Sequence, residues 1–216
     1  RFMQQFTKAG ESSITAGSII VSDADKKFFK VLERSPDIYQ YEYNNQNDPY
    51  TPTGVQIVAE DSITQAISFI STGFMPKVYV VEGHGELTIA DLAGARTSME
   101  KANFQFESIN LSTTDKQIQP GDLVMFLAPI SDITESERDM LKPLMEKGGR
   151  FIFLFDPLAL GDKKLPNLES LLKLYDISLK PGLVYEQNIQ YLASSSPLLI
   201  APAPGSHDII TSLGGK

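Results

Sequence analysis

The chain has 216 residues, 42% of them hydrophobic and 21% charged, enough for one good core with an elaboration. Acidic residues number 27 against 19 Lys and Arg; no basic stripe invites nucleic acid, and an anionic membrane surface would repel the domain. Cysteine is absent, which excludes a disulfide framework, a thiolate nucleophile and a Cys-based metal site.

No stretch reads as a membrane span. The longest uncharged run, Gln187 to Ser206, is broken by Pro197, Pro202 and Pro204, whereas a spanning helix needs about 20 mostly apolar residues. No signal peptide is visible. Arg1 and the closing "SLGGK" give the expectation that both ends are cuts within something longer.

Residues 1–17 are polar and rich in Ser and Thr, and read as a lead-in. In "GSIIVSDADKKFFKVLE" two apolar runs, Ile19–Val21 and Phe28–Leu32, flank the polar turn Ser22-Asp23-Ala24-Asp25, which predicts a hairpin. "DIYQYEY" alternates with a period of two and predicts a strand carrying Tyr39, Tyr41 and Tyr43 on one face. "NNQNDPYTPTG" is a loop by composition. Ala59, Ile63, Ala66, Ile67 and Ile70 then recur at helical spacing, stopped by Gly73 and Pro76.

Val78–Val81 is an apolar strand. Ile89, Leu92, Ala93 and Met99 form one helical face, opened by Thr88 with Asp91 three residues on and closed by Asn103. "FQFESINL" alternates like an edge strand, and "LVMFLAPI" is apolar throughout. Thr134-Glu135-Ser136-Glu137 is a capping box before the stripe Met140, Leu141, Leu144 and Met145; Gly148-Gly149 ends that helix. Pro143 inside it predicts a kink or an early stop. "RFIFLF" is a strand ended by Asp156-Pro157, "LPNLESLLKLYDI" a helix, and "GLVYE" a last strand.

Three of these strands are apolar on both faces, as in a parallel sheet covered by helices on each side. With right-handed crossovers, the economical arrangement is an α/β fold: a flavodoxin-like open, mostly parallel sheet with "VYVV" and "LVMFLA" adjacent at its centre. Class I glutamine amidotransferases share this fold type. A small N-terminal β element precedes it. The expected divisions are 1–17 lead-in, 18–58 N-terminal hairpin and strand, 59–185 α/β core, and 186–216 truncated C-terminal extension.

In such a sheet a ligand sits beyond the carboxyl ends of the strands, where the winding reverses. That places Gly83-His84-Gly85-Glu86, the loop Ala128–Asp132 containing Ser131, and Asp156 on one rim. Candidate ligand-binding residues are therefore Gly83, His84, Gly85, Glu86, Ser131 and Asp156. A phosphate cradle fits poorly: position 88 is Thr where a third glycine is needed, no Walker lysine is present, and Glu82 and Glu86 repel anions. Acyl-transfer chemistry of the amidotransferase kind needs the missing Cys, and no Gly-x-Ser-x-Gly elbow occurs. Ser131 could face His84, and Glu82, His84, Glu86 and Asp156 could form a mixed ligand set, weakly selective for zinc. Asp23 and Asp25 lack the glycine and distal Glu of a calcium loop. The bland reading is preferred. Glycines permit the bend, His84 bonds a neighbouring loop or caps a helix, and Glu86 favours the following helix start. No catalytic residue, metal or cofactor is assigned. His207 reads as local structure. The tyrosines of "YQYEY" could stack on a sugar, but strand packing is the simpler reading.

"VYVVEGHGE", then "PGDLVMFLAPISDITESERDMLKPLMEKGGRFIFLFDP", then "SHDIITSL" resemble the GldG-like family of auxiliary components of ABC-type transport systems, known from gliding-motility machinery. "GSIIVSDADKKFFKVL" and "AEDSITQAISFIST" are similar to its N-terminal part, so the resemblance spans about residues 18–213. It implies a non-enzymatic extracytoplasmic domain of a membrane-anchored parent, tethered by transmembrane helices outside this sequence. Its implied role is to bind substrate or partner protein beside a permease and an ATPase. The chain departs from the family at Pro143 and in stopping soon after "HDIITSL", so a partial C-terminal element would lack partner strands. Two alternatives stay open: a hydrolase using His84 and a carboxylate in the crevice, and a carbohydrate-binding module taking a small-molecule or glycan ligand.

Overall fold

The computed structural model describes residues 3–6, 14–43 and 50–201. A 3-10 turn at Met3–Phe6 buries Phe6 edge-on against Phe29, with ring centroids 5.4 Å apart. Strands β1 (Ile19–Ser22) and β2 (Phe29–Leu32) form the predicted antiparallel hairpin. Its turn is held by Asp23, whose carboxylate accepts the Phe28 N–H at 3.1 Å.

Strand β3 (Tyr39–Glu42) pairs antiparallel with β4 (Gly54–Ile57), a strand the sequence pattern did not announce. Helix α1 (Ala59–Thr72) ends at Gly73 in the left-handed conformation. It packs Ala59, Ile63 and Ala66 against Val21, Leu32, Ile38 and Tyr39. Its apolar face thus serves the N-terminal strands.

The second layer system is the parallel sheet. Strands β5 (Lys77–Val81), β6 (Gln105–Ile109), β7 (Leu123–Leu127) and β8 (Arg150–Leu154) lie in the order β6-β5-β7-β8. All three pairings are parallel, with β5 and β7 in the middle. A buried carboxylate sets the start of this pairing: Asp122 accepts the N–H of Lys77 at 2.9 Å and of Gln119 at 2.8 Å.

Side chains alternate across the sheet. Val78, Val80, Leu123, Met125 and Leu127 face α2 (Ala93–Lys101) and the 3-10 turn Ile89–Leu92 before it. Tyr79, Val81, Val124 and Phe126 face the other way. There they meet Leu141 and Met145 of α3 (Glu135–Glu146). Beyond the short α4 (Pro157–Leu160), α5 (Pro166–Leu172) adds Leu168 and Leu171 to the same core. Each fully buried aliphatic contributes about 1.5–3 kcal/mol, so the two central strands anchor the fold.

Two expectations are corrected. Pro143 neither stops nor divides α3, which continues to Glu146. Its ring lies on the solvent face while Leu141 and Met145 hold the helix to the sheet, so packing outweighs the lost N–H bond. "GLVYE" is not a strand: residues 183–186 have no regular structure and Val184 is 77% exposed. The capping box at Thr88 and Asp91 and the positive φ of Asn103 (66°) are as the sequence predicts. His207 and "SHDIITSL" lie outside the described residues.

Candidate functional site

The chain leaves β5 at Val81 and turns through Gly83 (φ 126°) and Gly85 (φ 78°). Gly85 is required twice. Its φ lies where side chains are strained, and a Cβ there would sit 2.3 Å from Cγ1 of Ile130. The turn brings His84 under the loop that follows β7. The His84 carbonyl accepts the N–H of Ile130 at 3.0 Å and of Ser131 at 3.1 Å, and the Ser131 hydroxyl at 3.1 Å. The His84 N–H donates to Oε2 of Glu86 at 2.6 Å.

The imidazole is enclosed between two carboxylates. Nδ1 lies 2.9 Å from Oε1 of Glu86, and Nε2 lies 3.1 Å from Oε2 of Glu137. His84 is 7% exposed and Glu137 1%. Glu137 accepts three further bonds: from the Ser112 hydroxyl at 2.7 Å, the Thr134 N–H at 2.7 Å and the Thr134 hydroxyl at 2.8 Å. One side chain therefore closes the N-terminus of α3, holds the loop after β6 and pairs with the histidine.

The titration behaviour follows from this packing. The hydrogen bond to Glu86 raises the His84 pKa; burial opposes it, and Glu86 and Glu137 charges add to the rise. Burial pushes the Glu137 carboxyl up, but the bonds from Thr134 and Ser112 and the neighbouring imidazole outweigh it and hold it below the ordinary range. Only the imidazolium can donate from both nitrogens at once, so the geometry selects the charged ring.

Five of the six candidate residues come together here: Gly83, His84, Gly85, Glu86 and Ser131. Asp156 lies at the same end of the sheet, yet its carboxylate caps α4 through the N–H groups of Leu158 and Ala159. The Ser131 hydroxyl bonds the His84 carbonyl, not the ring. Glu82 turns to the Ser108 hydroxyl on β6. Among the described residues, no group of three His, Cys, Asp or Glu side chains is placed to hold a metal ion.

Residues outside the candidate set complete the site. Glu137 showed in the sequence only as a capping-box residue, and Ser112 gave no signal. Asp132 ties this rim to α5 by accepting the N–H of Asn167 at 2.7 Å and of Leu168 at 3.1 Å. The result is a closely hydrogen-bonded rim in which one imidazolium faces two carboxylates, with a ring that offers no free nitrogen to a reacting group.

No curated protein and no solved structure matches the chain. Residues 75–195, more than half of the sequence and the whole of the parallel sheet, match the family model described as ABC-type uncharacterized transport system. The chain therefore belongs to that family, as an auxiliary component of an ABC-type transport system.

Proposed function

We propose that this chain is a non-enzymatic, extracytoplasmic domain of a GldG-like auxiliary subunit, which binds substrate or partner protein beside a permease and an ATPase. Family membership supports the transport setting. The observation that carries the non-catalytic part is the His84 ring, whose two nitrogens are both taken by Glu86 and Glu137. A general base must reach the proton it removes through a free nitrogen, and the rim hydroxyls are spent elsewhere: Ser131 on the His84 carbonyl, Ser112 and Thr134 on Glu137. The rim acts as a stiff platform whose outer loops, not its histidine, meet the partner.

The test uses the full-length gene product, affinity-tagged in its own host and extracted from membranes in mild detergent. The permease and the ATPase of one ABC system are expected to co-purify with it. Generic ester, peptide and glycoside substrates are expected to turn over at background rates with both the wild type and His84→Gln. Turnover that His84→Gln abolishes, or recovery of no ABC component, would overturn the proposal.

A further inference from the structure

An open cleft of about 600 Å³, which shares no lining residue with the histidine loop, lies between β2, α1, the β3–β4 ribbon and the C-terminal end of α2. Small-molecule sites run to roughly 300–1,000 Å³, so its size suits a ligand of one or two rings. Its apolar lining includes Val31, Leu32, Val58 and Ala66. Most of the rest of the lining is polar or charged.

Asn103 lines the cleft and is 5% exposed. Its Nδ2 donates to the Gln65 carbonyl at 2.7 Å, tying α2 to α1. A carbonyl partner fixes the carboxamide orientation, because only the NH₂ end can donate. Among the described residues no fully buried side-chain oxygen or nitrogen lacks a partner. With no protein donor on it, Oδ1 of Asn103 therefore reaches solvent, and Asn103 is one of the residues that line the cleft. It is a fixed acceptor presented from a nearly buried side chain.

Around it stand Gln40 and Gln56, paired across β3 and β4, with Ser62 and Gln65 of α1 and Lys101 of α2. No hydrogen bond or ion pair among the described residues holds these five side chains. The charges of the lining nearly cancel: it carries Lys30 and Lys101 against Asp37, Asp61 and Glu100, the last paired with Arg96. Such a site attracts neither phosphate nor a carboxylate, which call for clustered cations. Carboxamides and hydroxyls each donate and accept, and sugar hydroxyls do the same. We propose that this cleft binds a neutral saccharide of one or two rings, with Asn103, Gln40, Gln56 and Gln65 sharing its hydroxyls. The proposal rests on reading the domain as a binding module, and it gives that module a ligand class.

Isotope-labelled protein titrated with glucose, galactose, N-acetylglucosamine and maltose tests this by amide chemical shifts. Saturable shifts at the cleft amides of β3, β4, α1 and Asn103 are expected with at least one sugar. The double variant Gln40→Ala/Gln65→Ala should weaken that binding about tenfold, the loss of two modest hydrogen bonds. Lys101→Met, an exposed change, serves as a second variant should the double variant lose its dispersed spectrum; it should weaken the same shifts. Silence of the cleft amides toward all four sugars up to tens of millimolar would overturn the proposal. So would affinity unchanged in the variants, or occupation by inorganic phosphate in place of sugar. Silence with ABC co-purification intact would remove the ligand and leave the transport role standing.

Discussion

Glu137→Ala is the most informative single perturbation, because four donors converge on this one carboxylate. At about 1 kcal/mol net for each bond lost, the change costs about 4 kcal/mol. Breaking a buried ion pair by removing one partner costs a similar 3–5 kcal/mol. The His84 side chain is nearly buried and cannot recover the loss in water. With about 2–4 °C of Tm per kcal/mol for a chain of this size, the melting temperature should fall by roughly 8–16 °C. Urea unfolding followed by far-UV circular dichroism gives the free energy directly. Glu135→Ala, two residues away and exposed, is the control and should change stability by less than about 0.5 kcal/mol. A Glu137→Ala loss below about 1 kcal/mol would refute the claim that this carboxylate locks the rim.

Stability should depend on pH in a defined window. A raised His84 pKa contributes stability that is complete below 6.5 and fades as pH rises through the folded value; a lowered Glu137 pKa contributes above 4.5 and fades as pH falls through its own. The difference between wild type and His84→Gln, read by thermal melts, should therefore be largest between about pH 4.5 and 6.5 and shrink on the alkaline side. Gly85→Ala should cost about 2–4 kcal/mol by combined backbone strain and collision with Ile130, measured by denaturant unfolding. Asp132→Ala orphans two backbone donors at the start of α5. It should cost about 2 kcal/mol and speed amide exchange at Asn167 and Leu168.

The central strands were legible in the sequence because Val78–Val81 and Leu123–Leu127 have no polar face, and burial on both sides is the only environment that suits them. Caps were legible because Thr88, Thr134 and Asn103 act within one turn of themselves. Strand β4 was not, since Gly54–Ile57 is short and its Val55 and Ile57 are exposed; only pairing with β3 makes it a strand. "GLVYE" failed for the converse reason. It has the composition of a strand, but among the described residues its one backbone bond to another segment runs from the Glu186 N–H to the Pro197 carbonyl. Pro143 misled because the rule for helix interiors ignores tertiary packing on the opposite face. At the site, His84 and Glu86 are neighbours in sequence and their bond could be foreseen. Glu137 lies 53 residues from His84, so only the adjacency of β5 and β7 brings it to the ring.

The central claim is that His84 is a closed, charged strut and not a base. Nitrogen-detected NMR of the labelled imidazole measures this directly. Both ring N–H protons should be visible and hydrogen-bonded at pH 6, with a titration midpoint above the ordinary 6.5. A neutral ring at that pH, with one nitrogen bare, would contradict it.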